Sequence, residues 1–259
     1  MITHALLRRP ALTVADGLTT ADEGRPDVAR TLEQFEAYAA ALQDAGVDVT
    51  VLDPLPAYPD AHFVEDVAVV TPEVIVRTRP GAPARRGEIE AIDTALRRFG
   101  RVVPIEAPGT LDGGDVLTVG DRVFVGLSER TNDAGARQLR AIVDPQGFSC
   151  VTVPVGAGLH LKSSVNAVSD DTLVLTAEFA HEPAFAKFDR VAVPDGEESA
   201  ANVLRVNDRV LVPDGCPSVA GLLRGRGLQL VELAMSEFRK MDGGLTCLSV
   251  RFGGGPDHF

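Results

Sequence analysis

Two hydrophobic periods alternate along the chain. Over residues 27–45, Leu32, Phe35, Ala39 and Leu42 recur at helical spacing, with Pro26 just before the segment and Gly46 just after it. That placement of proline and glycine predicts the helix boundaries. A β-rich run, Val47-Asp48-Val49-Thr50-Val51-Leu52, follows. The same succession of helix then strand returns at 88–99 with 101–105, and at 132–143 with 149–153. Between these segments lie short β-rich runs split by three turn-forming residues. Thr71-Pro72-Glu73 precedes Val74-Ile75-Val76, Gly120-Asp121-Arg122 precedes Val123-Phe124-Val125, and Asn207-Asp208-Arg209 precedes Val210-Leu211-Val212. Such pairs predict β-hairpins.

The hairpins are copies of one another. A pattern of polar, Val, any, any, Val begins at Asp66, Asp115, Ser164 and Asn202, and a fifth copy begins at Thr246 with Cys247 in the second place. The starts lie 49, 49, 38 and 44 residues apart. A repeat of this length predicts one supersecondary unit per copy, here strand, strand, helix, strand. The fifth copy has too few residues after Val250 for a second strand, and the N-terminal run His4-Ala5-Leu6-Leu7 is its expected partner. Joining the ends yields an α/β ring of five ββαβ modules without exposed sheet edges. An open α/β sheet with hairpins is the alternative. No linker or change of composition divides the chain, so residues 1–259 are read as a single domain. The polar loop at 13–25 has the length of a functional lid.

Composition narrows the function classes. The residues are 45% apolar and 24% charged, as in ordinary soluble domains, and no run approaches the length of a membrane span. The first ten residues lack the blocks of a signal peptide. A net charge of −12 argues against a nucleic-acid partner and favours small cations. Three cysteines, Cys150, Cys216 and Cys247, make no disulfide framework and suit a reducing cytoplasm. Without CxxC or HxxxH spacing, no metal and no cofactor is expected.

Equivalent strand ends of a ring converge on its axis, and the residues around the repeat starts are chemical ones. Glu65 and Asp66 open the first copy, Asp112-Gly113-Gly114-Asp115 the second, His160 precedes the third, and Cys247 lies in the fifth. Cysteine, histidine and acid at one end of a ring are the parts of a nucleophilic site. The pairs Gly113-Gly114 and Gly243-Gly244 would let backbone crowd a small ligand. Cys150 reads as an apolar filler and Cys216 as a turn residue, while His4, His62, His181 and His258 gain no placement from the repeat. Asp66 and Asp115 could equally cap strands. Arg85 and Arg130 suit a substrate carboxylate, although with 22 arginines to 3 lysines no single arginine stands out.

Six motifs, in order, carry a family resemblance. They are Phe63-Val64-Glu65-Asp66-Val67-Ala68-Val69-Val70, Arg79-Pro80-Gly81-Ala82-Pro83-Ala84-Arg85-Arg86, Leu111-Asp112-Gly113-Gly114-Asp115-Val116, Phe124-Val125-Gly126-Leu127-Ser128, Gly158-Leu159-His160-Leu161-Lys162-Ser163 and Leu245-Thr246-Cys247. Together they resemble dimethylarginine dimethylaminohydrolase, of the guanidine-modifying (pentein) superfamily, whose fold is a five-module α/β propeller. The resemblance implies Cys247 as nucleophile, His160 as general acid and base, and Asp112 as the group that orients the histidine. It further implies that Asp66 grips the guanidinium with Glu65 beside it. Asp60, Arg85 and Arg130 would hold the α-amino and α-carboxylate groups, Leu18 would belong to the lid, and Met241 would supply a backbone contact.

The implied reaction converts N-omega-methylated arginine to citrulline and an alkylamine, by a monomer or homodimer acting on a small molecule. The related arginine deiminases carry an aspartate two residues after the catalytic histidine, where this chain has Lys162; losing that clamp suits a methylated nitrogen. An arginine deiminase, an amidinotransferase and a non-catalytic binding factor on the same fold are the competing readings.

Overall fold

The local signals act where the sequence puts them. Asp27 caps the longest helix, Val28–Asp44, its carboxylate accepting the Arg30 N–H at 2.8 Å. Phe35, Tyr38, Ala39 and Leu42 form the buried face of that helix, and Gly46 follows in the left-handed conformation, φ +80°. Asn132 caps Asp133–Val143 in the same way, through the Gly135 N–H. The computed structural model describes residues 1–156 and 160–253.

Among the described residues, five three-stranded sheets make up the fold. In each, a middle strand pairs antiparallel with an inner strand and parallel with an outer one. The sheets are Ala68–Val70, Ile75–Arg77 and Val102–Pro104; Val116–Val119, Arg122–Leu127 and Ser149–Pro154; Val165–Ala167, Thr172–Leu175 and Asp189–Ala192; and Leu204–Val206, Arg209–Pro213 and Gln229–Leu233. In the fifth sheet the N-terminal strand Ile2–Arg8 is the middle one. It runs antiparallel to Val250–Gly253, with Leu6 opposite Val250 and His4 opposite Phe252, and parallel to Asp48–Leu52. The expected pairing of the two ends is therefore present, and the fold is the five-module α/β propeller. Apolar clusters fill the spaces between the sheets and their helices. The inner strands surround a central channel. Among the described residues no helix is long and apolar enough to cross a membrane.

Two details depart from the repeat. The third module has no α-helix of the usual kind after its hairpin: the turns Ala177–Phe179 and Pro183–Phe185 replace it. That module is the shortest, 38 residues from Ser164 to Asn202, and lacks the chain for a longer helix. The five copies also do not share one register. Val116 and Val165 open strands, whereas Val67 closes a helical turn and Cys247 sits inside one, three residues ahead of Val250. Cys247 therefore does not replace a strand valine, as the aligned copies suggested. It belongs to the turn that precedes each inner strand.

Candidate active site

Those turns are where the chemistry gathers. Val64–Val67, Gly113–Asp115, Leu161–Ser164, Glu198–Ala201 and Thr246–Leu248 each lead into an inner strand and lie at one end of the channel. Asp66 and Cys247 stand within such turns, while Asp112 and His160 are the residues that open them. A small cavity over the turns is lined by Leu18, Asp60, Phe63, Asp66, Arg85, Arg130, His160, Ser163, Met241, Asp242, Gly243 and Cys247. Of the ten residues expected at the site, eight line this cavity. Asp112 lies one layer behind, fully buried, bonded to His160; Glu65 is not brought to it. Gly158 and Leu159 of the histidine motif lie outside the described residues, as does His258.

Acids surround the histidine. His160 Nε2 lies 3.1 Å from Asp112 Oδ2, and Nδ1 lies 3.7 Å from Asp66 Oδ1. Burial alone would lower the imidazole's pKa, but Asp66, Asp112 and Asp115 outweigh it and raise it to about 9. Asp66 is buried as well, which opposes ionisation. His160, Arg85 and the Gly114 N–H more than compensate and hold its carboxyl below the usual range. The Cys247 thiol goes the other way. Burial, with Glu65 and Asp66 nearby, pushes it up to about 12, against the opposing Gly244 N–H at 3.4 Å and the charge of Lys162. The free site thus pairs a neutral thiol with a cationic imidazole.

Glycine is required here for close approach within the protein. A Cβ on Gly114 would stand 2.6 Å from His160 Nδ1 and 2.7 Å from Asp66 Oδ1. One on Gly244 would meet the Asn202 side chain at 2.4 Å. Gly114 and Gly244 let the turns crowd each other, while Gly243 lines the cavity.

Glu65 faces the opposite way from Asp66. It lines the channel, where its Oε1 accepts from Lys162 Nζ and Arg251 Nη2, each at 2.7 Å. Lys162 also lines the channel, while its neighbour Ser163 lines the cavity. The position that the comparison with deiminases singled out is therefore turned away from the cavity.

The residues expected to hold the two ends of a substrate sit above. Both Asp60 carboxylate oxygens accept the Leu18 N–H at 3.1 Å, so the 13–25 loop covers this side. Thr20 N–H donates to Asp242 at 2.6 Å, and Glu23 pairs with Arg239. Arg85 is buried, its guanidinium bonded to Asp66, Glu88 and the carbonyls of Asp60 and Phe63. Arg130, half-buried, is the less committed cation. Of the other lining residues, Asp242 escaped the sequence reading; Phe63 and Ser163 stood in quoted motifs without a role, and Gly243 was expected only to let backbone approach a ligand. Arg251 and Glu88 carried no signal beyond their charge.

Among the described residues, Asp66, Asp112 and His160 also form the one cluster spaced for a metal ion. Their atoms satisfy each other and neighbouring donors, so the set is already engaged.

Comparison with known proteins shows the family of the chain. A family profile for N,N dimethylarginine dimethylhydrolase, eukaryotic, matches residues 20–198. The N(G),N(G)-dimethylarginine dimethylaminohydrolase of Pseudomonas aeruginosa is 42% identical over 254 residues, covering 97% of this chain and 100% of that protein. The protein of the same name from Streptomyces coelicolor is 42% identical, covering 95% and 96%. A solved structure of a cysteine-to-serine mutant of the Pseudomonas aeruginosa protein complexed with citrulline, 42% identical, superposes with a TM-score of 0.95, covering 97% of this chain and all of the other. The chain belongs to the dimethylarginine dimethylaminohydrolase family.

Proposed function

We propose that this chain hydrolyses asymmetric dimethylarginine and monomethylarginine to citrulline, releasing dimethylamine or methylamine, through a thiouronium intermediate on Cys247. It acts as a single catalytic domain of residues 1–259, without a cofactor, in a reducing cytoplasm. The observation that carries the reading is the meeting of Cys247, His160 and Asp66 on one cavity, with Asp112 bonded to His160 from behind.

A guanidinium resists water because its charge is delocalised. Asp66 offers a charged anchor that fixes the cation beside the sulfur. The same cation favours loss of the Cys247 proton, which goes to solvent because His160 already holds one. The thiolate then adds to the central carbon. His160 gives its proton to the methylated nitrogen, and the C–N bond breaks with both electrons leaving on the amine. What remains is the thiouronium. Neutral His160 next takes a proton from water, hydroxide adds to the carbon, and the C–S bond breaks to release citrulline and the thiol. Because Nε2 is committed to Asp112, Nδ1 is the nitrogen that moves these protons. Arg130, with whatever Arg85 donor remains, holds the α-carboxylate; Asp60, the Leu18 backbone and the Met241 backbone receive the α-amino end. Glu65 and Lys162 act from behind, through charge.

Citrulline formation from dimethylarginine, monomethylarginine and arginine tests the reading. Methylated substrates should be turned over and arginine poorly or not at all. Faster turnover of arginine would overturn the substrate class, and unchanged turnover by Cys247→Ser would overturn the nucleophile. The absence of any turnover would leave a binding factor on this fold as the surviving alternative.

A further inference from the structure

Behind the Cys247 turn lies a guanidinium that the reaction scheme does not use. Arg251 follows Val250 in the strand paired with the N-terminus, and its head turns back beneath residues 246–249. Nη1 donates to the Thr246 carbonyl at 3.0 Å, the Ser249 carbonyl at 2.9 Å and Ser249 Oγ at 2.9 Å. Nη2 donates to Glu65 Oε1 at 2.7 Å. One planar fork therefore grips backbone on both flanks of Cys247 and ties it to the first module. Ser249 Oγ is itself held by the Tyr38 hydroxyl at 2.7 Å, with both side chains buried. On the far side Asn202 Oδ1 accepts the Thr246 N–H at 2.9 Å.

The charge pattern points the same way. Lys162 and Arg251 share the single oxygen Oε1 of Glu65, so the group behind the sulfur carries two cations and one anion. A lysine could keep the charge at position 251, but its point-like ammonium could not span carbonyls and carboxylate together.

We propose that Arg251 is the positioning residue of the nucleophile, fixing the turn from Thr246 to Ser249 so that Cys247 Sγ is held in the cavity, and offsetting the charge of Glu65 where the thiolate forms. This rests on Cys247 being the nucleophile. Misplacing a reacting atom by about an ångström costs on the order of a hundredfold in rate. Arg251→Met in the full-length chain should therefore lose about a hundredfold in kcat, and Arg251→Lys, which retains the charge, about tenfold. In both, KM for dimethylarginine should stay within about twofold, because no substrate contact is lost. Iodoacetamide alkylation of Cys247 at fixed pH should slow in the same order.

Arg251→Lys keeps the buried charge paired with Glu65, so it decides the matter if Arg251→Met does not fold. Folded Arg251→Lys with wild-type kcat and wild-type alkylation would overturn the proposal, as would a loss carried entirely by KM. Wild-type protein that neither turns over dimethylarginine nor forms a Cys247 adduct by intact mass would sink the nucleophile reading first, and this proposal with it.

Discussion

Replacing Asp112 with Asn tests how the histidine's charge is maintained. The substitution keeps the shape of the side chain but removes one of three carboxylates around His160, the one bonded to Nε2 at 3.1 Å. With charge centres about 4 Å apart and an effective dielectric constant near 20, the lost attraction is about 4 kcal/mol, or roughly three pK units. Asp66 and Asp115 remain, and burial still opposes the cation. The imidazole should therefore fall from about 9 into or below its ordinary range. The sign of the kinetic effect follows from the order of the two groups. Since Cys247 is held at about 12, above His160 at about 9, the productive thiolate–imidazolium form is a minor tautomer of the singly deprotonated site. Wild-type kcat/KM should rise with unit slope up to about pH 9 and then level. In Asp112→Asn the bend should move down by roughly two to three units, and the plateau should drop because the minor tautomer becomes rarer. Citrulline release measured from pH 6 to 10 resolves both. A bend that stays in place would show that Asp112 does not govern the charge of His160.

Other expectations follow from the same geometry. Gly114→Ala forces a methyl to within 2.6 Å of His160 Nδ1 and 2.7 Å of Asp66 Oδ1, so kcat/KM should fall by about a hundredfold; activity within twofold of wild type would show that the turn yields. Arg85→Met leaves Asp66 and Glu88 buried without their cation and should cost about 3–5 kcal/mol in urea unfolding. A stable variant altered only in KM would instead make Arg85 a pure substrate contact. His62 is buried and its pKa is lowered to about 3, first by burial and then by Arg85. As pH falls below its unfolded value near 6.5, the unfolded chain takes up a proton that the folded one refuses. Stability should therefore drop by about 2 kcal/mol between pH 6.5 and 5 from this group alone. Urea titrations of wild type and His62→Gln should differ in that slope, and parallel slopes would remove His62 as the cause.

The architecture was legible because its signals are local. Asp27 and Asn132 cap helices by bonding amides three residues on, and Gly46 ends one by adopting φ +80°. The spacing of the copies predicted five modules, and the short 38-residue interval is where the helix gave way to turns. Register was not legible to that accuracy. A polar–Val–any–any–Val pattern tolerates a slip of up to three residues, and the fifth copy slips by that much because its turn, not its strand, carries the cysteine. The cavity residues came largely from the family motifs, since distant turns meet only when the ring is assembled. Glu65 was misread for the same reason: its neighbour Asp66 faces the cavity, and sequence adjacency says nothing about which side of a turn a carboxylate takes.

That last failure exposes the organising feature of the site. Three consecutive pairs divide between two compartments: Asp66, Ser163 and Cys247 line the cavity, while Glu65, Lys162 and Thr246 line the channel. The wall between them is one turn thick. An excess cation placed on the cavity side would repel the guanidinium substrate. An excess anion there would raise the thiol further, since Glu65 and Asp66 already push it up. Placing Lys162 and Arg251 behind the wall adds no further cation beside Asp66, while their charges reach the sulfur through low-dielectric protein. Removing one of these cations should separate the effects. Lys162→Met leaves the cavity lining untouched but removes a cation that lowers the Cys247 pKa. Reactivity of the thiol should fall while KM stays near wild type, with alkylation and citrulline release as the two measurements. If KM rises instead with alkylation unchanged, the wall does not insulate substrate binding from the charges behind it.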